Sequence, residues 1–414
     1  MWSIVVIGRV FFGSAFLMVL ATDMYGAVDN NSTEQRAMSE DIFSLERVTG
    51  QLRLGYIYVD PKFSGEATSY STALGGQLKY ESARYGGFGV GLAFYTSHAL
   101  DPLSGEEMDG KFNDELSTVD GHYDLLAEVY VDYLMDDFQI RIGRQVIDTP
   151  YMDSDDIRMT PNTFEGLMAR YSHEELSIDA GYMTKWQGPD AGVYKFVDLV
   201  DGGDGIAMVG MRYESGDIES NLWYYYADNI ANIVYADTKY SYKLSDKTTL
   251  TSGAQVANQS ELDDSGIDAT LFGAMTELGY GDFMLGLAYN RLIVDSDHEY
   301  FGGFGGGVGF VNMFEMTAGV FSFHQSATAW KLSLSYDLSN LGFDNLCISY
   351  DYGDYKGDVK HEASEHNLIV TYEPSDDWNI EITYDKIEDM DRDISSEHVD
   401  YGVDRVLARV NYNF

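Results

Sequence analysis

Basic residues are scarce in this chain: 26 Lys and Arg stand against 68 Asp and Glu, a formal net charge of −42 over 414 residues. Binding a phosphate backbone needs the opposite balance, which excludes a nucleic-acid partner. Cysteine occurs once, at Cys347, so there is no intrachain disulfide framework. Proline is sparse as well, at 6 residues. Beyond residue 20 no segment supplies the ~18 continuous apolar residues of a spanning helix. Any further membrane crossing must therefore be made by strands. The 8 His residues show no HExxH spacing, and no GxSxG elbow occurs. His324 with Ser322 and Ser326 has the residue types of a hydrolase, but loop Ser and His are common and the stretch carries no enzyme assignment.

What is present points to strands. So large an acidic excess would normally mean disorder, yet the chain holds 32 Tyr, 21 Phe and 45% hydrophobic residues. Tyr suits a boundary between an apolar zone and water, because its ring can be buried while its hydroxyl stays wet. Ile4 to Leu20 is apolar apart from Gly8, Arg9, Gly13 and Ser14, and small residues follow. The stretch reads as a secretory signal over 1–27, with an uncleaved anchor helix as the rival. Residues 28–49 read as a polar periplasmic arm.

From Gly50 onward the pattern has period two. Leu52, Leu54, Tyr56 and Tyr58 share one face, with Gln51, Arg53 and Gly55 on the other. Leu125, Ala127, Val129, Val131 and Tyr133 oppose Glu128 and Asp132. Trp330, Leu332, Leu334 and Tyr336 oppose Lys331, Ser333 and Ser335. The final residues alternate too: Val406, Ala408, Val410, Tyr412 and Phe414 against Arg405, Arg409, Asn411 and Asn413, with Leu407 as the one apolar exception. Val410, Tyr412 and the terminal Phe414 read as a membrane-insertion signal and as a strand that needs a closing partner.

Connections alternate in length. Short turns near Ser82–Gly87, Leu134–Asp137, Ser172–Glu175 and Tyr280–Asp282 alternate with longer links such as His98–Asp120, Ile147–Asn162 and Asp295–Gln325. This spacing predicts a transmembrane antiparallel β-barrel over 50–414, with roughly 18 strands, short periplasmic turns and long extracellular loops. The Gly-rich tract from Gly302 to Gly309 reads as a flexible loop, and Phe310–Phe323 as loop or an extra strand pair. A barrel this wide with a polar inner face leaves a water-filled channel.

The run from Arg141 to Gly166, RIGRQVIDTPYMDSDDIRMTPNTFEG, is the best candidate for the narrow point. With FNDELSTVDGHYDLLAEVYVDY before it and YKFVDLVDGGDG after it, this run resembles the Opr/OprD-type porins of Gram-negative bacteria, especially the major porins of the Campylobacter-like lineage. The resemblance implies a bacterial outer-membrane location and an 18-stranded barrel whose third long loop, 147–162 here, folds into the lumen. It further implies that Asp148, Asp153, Asp155, Asp156 and Arg158 lie at the constriction. A basic ladder would draw on Arg53, Arg141, Arg144, Arg170 and Arg409, with Glu128 and Asp132 as acidic pore-lining groups.

Small hydrophilic solutes and ions are then the expected traffic. Outer-membrane lipid and lipopolysaccharide are the expected surroundings, and a homotrimer is an admitted assembly. No cofactor is expected. Asp153, Asp155 and Asp156 form a weak calcium candidate, because they lack the Gly and terminal Glu of an EF-hand. Excess carboxylate predicts a modest cation preference. The alternative is a plugged barrel that serves as a platform for adhesive loops.

Overall fold

The computed structural model describes residues 45–62, 67–313, 325–358, 362–394 and 397–414. The leader, most of the arm, Ser322 and His324 lie outside the described residues. In chain order the strands are β1 (Leu45–Pro61), β2 (Ser69–Ser82), β3 (Phe88–Ala99), β4 (His122–Met135), β5 (Phe138–Gln145), β6 (Thr163–His173) and β7 (Leu176–Gly188). There follow β8 (Val193–Asp198), β9 (Ile206–Ser215), β10 (Ile218–Ala227), β11 (Ala231–Ser245), β12 (Thr248–Glu261) and β13 (Ala269–Tyr280). The series ends with β14 (Phe283–Val294), β15 (Ala327–Asp337), β16 (Leu346–Gly357), β17 (Glu362–Ser375), β18 (Trp378–Ile394) and β19 (Glu397–Asn413).

Neighbouring strands are antiparallel, and β19 closes the ring on β1, from Gln51 opposite Asn413 to Pro61 opposite Val403. β8 pairs only with the end of β7, beyond the point where β9 becomes the neighbour of β7. Setting that side hairpin apart from the 19 strands leaves a closed wall of 18. Closure gives each wall strand a neighbour on both sides, although β5 pairs with β4 only from Val129 to Met135.

The apolar rows point outward. Leu52 and Leu78 are each 51% exposed, whereas Arg53, between Leu52 and Leu54, is 2% exposed. A water-soluble sheet would show the reverse, and lipid is the solvent that stabilises this arrangement. Tyr171, Tyr213, Tyr242, Tyr280, Tyr336 and Tyr372 stand exposed close to the short turns, where a ring can sit in lipid and its hydroxyl in the headgroup layer. Several short turns are two-residue links whose first residue takes a left-handed φ: Asp136 at 49°, Glu174 at 51°. Acidic and glycine residues tolerate that conformation at such links.

One stretch departs from the expected alternation. Ala93 pairs with Glu128 but Phe94 with Leu126, so Ala127 is an extra residue. This bulge shifts the phase. Leu126 is exposed with Phe94, while Ala127 is buried on the inner side, contrary to the outward row expected for Leu125 and Ala127.

The packed interior lies inside the ring and is built largely by loops. Loop 2 (100–121), loop 3 (146–162), loop 4 (189–205, carrying β8) and loop 7 (295–326) all contribute buried residues. No strand forms over 295–313. The rest of the proposed extra pair, 314–323, lies outside the described residues.

Candidate pore constriction

Loop 3 leaves the wall because β5 is short, only 8 residues, and turns inward after Gln145. Two walls hold it inside. On the first, Arg53 of β1 grips Asp156 with both ends of its fork, Nη1 to Oδ1 at 2.6 Å and Nη2 to Oδ2 at 2.9 Å. Arg53 also donates to the carbonyl of Arg158 at 2.8 Å and to Asn411 Oδ1 at 2.6 Å. A two-pronged guanidinium–carboxylate pair fixes direction as well as distance. From β19, Arg409 donates to the Asp156 carbonyl at 2.6 Å and to Glu381 at 2.7 Å. Arg158 reaches Glu115 of loop 2 at 2.8 Å, and Arg405 reaches the same carboxylate at 3.2 Å. Burial alone would raise the Asp156 and Glu115 carboxyls, but the facing guanidinium groups outweigh it and hold both below the usual carboxylate range.

An apolar knot fills in behind these ion pairs: Met159 of loop 3 and Leu116 of loop 2 pack with Ile57 and Leu407. This explains the exception at Leu407. It stands on the polar, inward face and meets a loop instead of water.

On the opposite wall, Tyr151 of loop 3 is 2% exposed. Its ring meets Tyr225 edge-on at 5.5 Å and Phe301 in a stack at 6.4 Å. Its hydroxyl lies 3.2 Å from that of Tyr300 and accepts from Gln259 Nε2 at 3.2 Å. Loop 7 lies alongside: the Asp153 N–H donates to the Phe304 carbonyl at 2.8 Å. Gly305 (φ 111°) permits that approach, since a Cβ there would come within 2.5 Å of the Asp153 carbonyl.

Loop 3 thus crosses the lumen and is fastened at both sides. Beside it remains a cavity of about 370 Å³. Asp148 and Asp153 face it from loop 3, and the barrel wall contributes Asp237, Glu277, Arg212, Lys239 and Lys331. Burial, together with the negative charges of Asp148 and Asp190, pushes the Asp153 carboxyl up to about 6, against the opposing pull of the Asp155 N–H.

A sequence model of the outer-membrane porin family OprD matches residues 46–388. The chain belongs to the OprD family of outer-membrane porins. Solved structures agree on the fold. Acinetobacter baumannii OccAB3 superposes with a TM-score of 0.73 at 15% identity, over 89% of this chain and 99% of that one. Pseudomonas aeruginosa OpdK, solved with vanillate, gives 0.69 at 18% identity, over 89% and 100%. Pseudomonas aeruginosa OccD3 (OpdP) gives 0.71 at 17% identity, over 90% and 93%. No curated protein matches the chain.

In this OprD-family porin the expected site residues take different places. Asp148 and Asp153 face the cavity, Asp156 fastens loop 3 to the wall, and the Arg158 side chain ties it to Glu115 of loop 2. Asp155 is buried, and its N–H donates to Asp153 Oδ1 at 2.9 Å. The three candidate calcium carboxylates therefore diverge, and among the described residues no three His, Cys, Asp or Glu side chains gather around a metal-sized point. Arg53 and Arg409 point inward but are spent on loop 3.

Arg170 faces inward and pairs with Asp179 at 2.6 Å, which Arg212 also engages at 2.8 Å. Arg141 lies over the Tyr130 ring at 4.0 Å. Glu128 pairs with Lys79 at 2.9 Å and Asp132 with Arg84 at 2.5 Å, all on the inner wall.

Arg144 is a correction. It pairs in register with Val129 and Glu165, on the face of Ile142 and Leu167 that looks away from the lumen. There it bonds Glu165 at 2.9 Å and the Leu126 carbonyl at 3.4 Å, with the Phe196 ring 4.2 Å away. It closes the wall where β5 has left β4 without a partner. The cations that do face the cavity, Arg212, Lys239 and Lys331, were missed. Their signal was the same alternation, since Lys331 lies between the outward Trp330 and Leu332.

Proposed function

We propose that small hydrophilic solutes diffuse passively through the opening between loop 3 and the β9–β15 wall, with a modest preference for cations. The observation that carries this is the lining of that opening, where the carboxylates of Asp148, Asp153, Asp237 and Glu277 outnumber the cations of Arg212, Lys239 and Lys331. A narrow passage takes its selectivity from such a ring. The excess is a single charge, so anions pass as well, and a carboxylate solute such as the vanillate of OpdK would meet three cations on the wall. Diffusion through a hydrated opening requires neither catalysis nor a resident cofactor.

The outer face is proposed to meet outer-membrane lipid and lipopolysaccharide, and a homotrimer is the assembly to test by cross-linking. For the adhesive-platform reading, loop 3 buries Tyr151, Met152 and Met159 inside the ring, whereas loop 2 buries Leu116 and exposes Leu103, Met108 and Val119.

In planar bilayers under a KCl gradient, the reversal potential is expected to have the cation-selective sign at neutral pH. An anion-selective sign would overturn the proposal. Asp153 adds a pH test. Its raised pKa means that it takes up a proton as pH falls through about 6, so cation preference should weaken between pH 7 and pH 5. In Asp153→Asn the remaining drift over that interval should be much smaller. A wild-type drift retained in full by Asp153→Asn would show that other groups set the selectivity.

A further inference from the structure

The lipid side of the wall carries a polar notch where β5 leaves the ring. On β14 the outward row Phe283, Leu285, Leu287 and Tyr289 climbs from the short turn to the first charge, Arg291. On β5 the row is Phe138, Ile140 and Ile142, and then Arg144. On β6 it is Tyr171, Ala169 and Leu167, and then Glu165. These two charges therefore stand one outward position, roughly 7 Å along the strand, deeper in the apolar belt than the charge on β14. A hollow of about 660 Å³ opens at this level. Arg144 and Glu165 line it toward the long loops, and Ile142, Leu167 and Tyr182 line it toward the short turns.

The bonds between the two charges leave each of them half used. Arg144 Nε donates to Glu165 Oε2 at 2.9 Å, and Nη1 reaches the Leu126 carbonyl only at 3.4 Å. The Phe196 ring, 4.2 Å away, covers one face of the guanidinium. Among the described residues Nη2 meets no acceptor and Glu165 Oε1 no donor. Lys185, opposite Glu165 in the register, does not line the hollow. The two side chains keep 36% and 33% of their surface exposed. On a soluble protein water would meet them. In the apolar belt an unmet donor and an unmet acceptor are costly, so the polar head of a lipid is drawn down to them.

We propose that the notch seats one phospholipid whose head carries both a phosphate and a primary ammonium. The phosphate takes the free donors of Arg144, the ammonium donates to Glu165, and an acyl chain lies along Ile142 and Leu167. Charge complementarity selects this head. A solely anionic head would gain Arg144 but meet the Glu165 carboxylate with nothing to offer it. A trimethylated ammonium has no N–H to give. The seat lies outside the ring. It rests on the outer face meeting lipid and not on the cation preference proposed above.

The test is native mass spectrometry of the full chain, released from micelles doped with equal amounts of phosphatidylethanolamine, phosphatidylglycerol and phosphatidylcholine. The wild type is expected to retain one phosphatidylethanolamine in about ten-fold excess over either competitor. Glu165→Gln keeps the shape of the side chain but not its charge, so its preference over phosphatidylglycerol should fall to near parity. Arg144→Ala should lose the retained lipid. Because Arg144 also fills the gap beside β4, folding of that variant is judged by heat-modifiable gel mobility, and Glu165→Gln decides the matter if it misfolds. Conductance in planar bilayers checks separately that each protein enters a membrane, so a lost preference is not confused with failed insertion. A wild type that retains none of the three lipids, retains them equally or prefers phosphatidylglycerol would overturn the proposal, as would a folded Glu165→Gln that keeps the wild-type preference.

Discussion

Arg53→Ala will widen the pore, raising single-channel conductance, and will destabilise the barrel by about 2–3 kcal/mol. Arg53 is 2% exposed and serves three acceptor groups on two elements: Asp156, the Arg158 carbonyl and Asn411. Removing it strands the Asp156 carboxylate beside the wall. Breaking a fully buried pair costs more, about 3–5 kcal/mol. The Asp156 side chain keeps 36% of its surface exposed, so water recovers part of the loss. The cost should also depend on pH. Arg53 holds the Asp156 carboxyl below its ordinary value against burial, so its contribution is complete above the ordinary carboxylate range and fades as pH falls through the lowered value. The gap between wild type and variant should therefore narrow in acid. Arg53→Lys keeps the charge without the fork and should fall between the two. Gel-shift melting and conductance together decide the matter; an Arg53→Ala pore with wild-type current and wild-type melting would mean that Asp156 does not hold loop 3.

The sequence showed the wall clearly and the lumen poorly, for one physical reason. A wall strand sees lipid on one side and loops or water on the other, so solvent imposes period two on neighbouring residues. Leu52, Leu54 and Tyr56 announce their direction without knowledge of any partner. The bulge at Ala127 was invisible because a single extra residue changes phase without changing composition. Arg144 was misplaced for a different reason: it shares parity with Ile140 and Ile142, and its charge was weighed above its position. The same rule had put Lys331 on the polar face, and applied to Arg212 and Lys239 it would have placed them in the lumen too.

Loop 3 had no such local signal. Its position rests on Arg53 meeting Asp156 across 103 residues of sequence and on a tyrosine pocket assembled from β10, β11, β12 and loop 7. Glycine in loop 7 read as freedom. At Gly305 it is a point of close contact with Asp153, and such approaches appear only when both segments are in place.

Tyr151→Ala will destabilise the protein by about 3–5 kcal/mol, the usual cost of removing a buried aromatic ring. The ring is enclosed by Tyr225, Tyr235 and Phe301, and its hydroxyl satisfies Gln259 and Tyr300, so truncation leaves both a cavity and unpaired polar groups. Its effect in combination with Arg53→Ala is more informative than the single change. The two anchors stand on different walls and share no partner, so their stability costs should add to within about 0.5 kcal/mol. Their conductance effects should not add. A strap fastened at both ends stays in the lumen when either fastening is cut, because the other end and the Met159–Leu116 knot still hold it. Only the double variant frees both ends. Its current should exceed the sum of the two single increments, and its cation preference should fall, since Asp148 and Asp153 leave the passage together. Additive currents with unchanged selectivity would mean that loop 3 holds its place without either anchor.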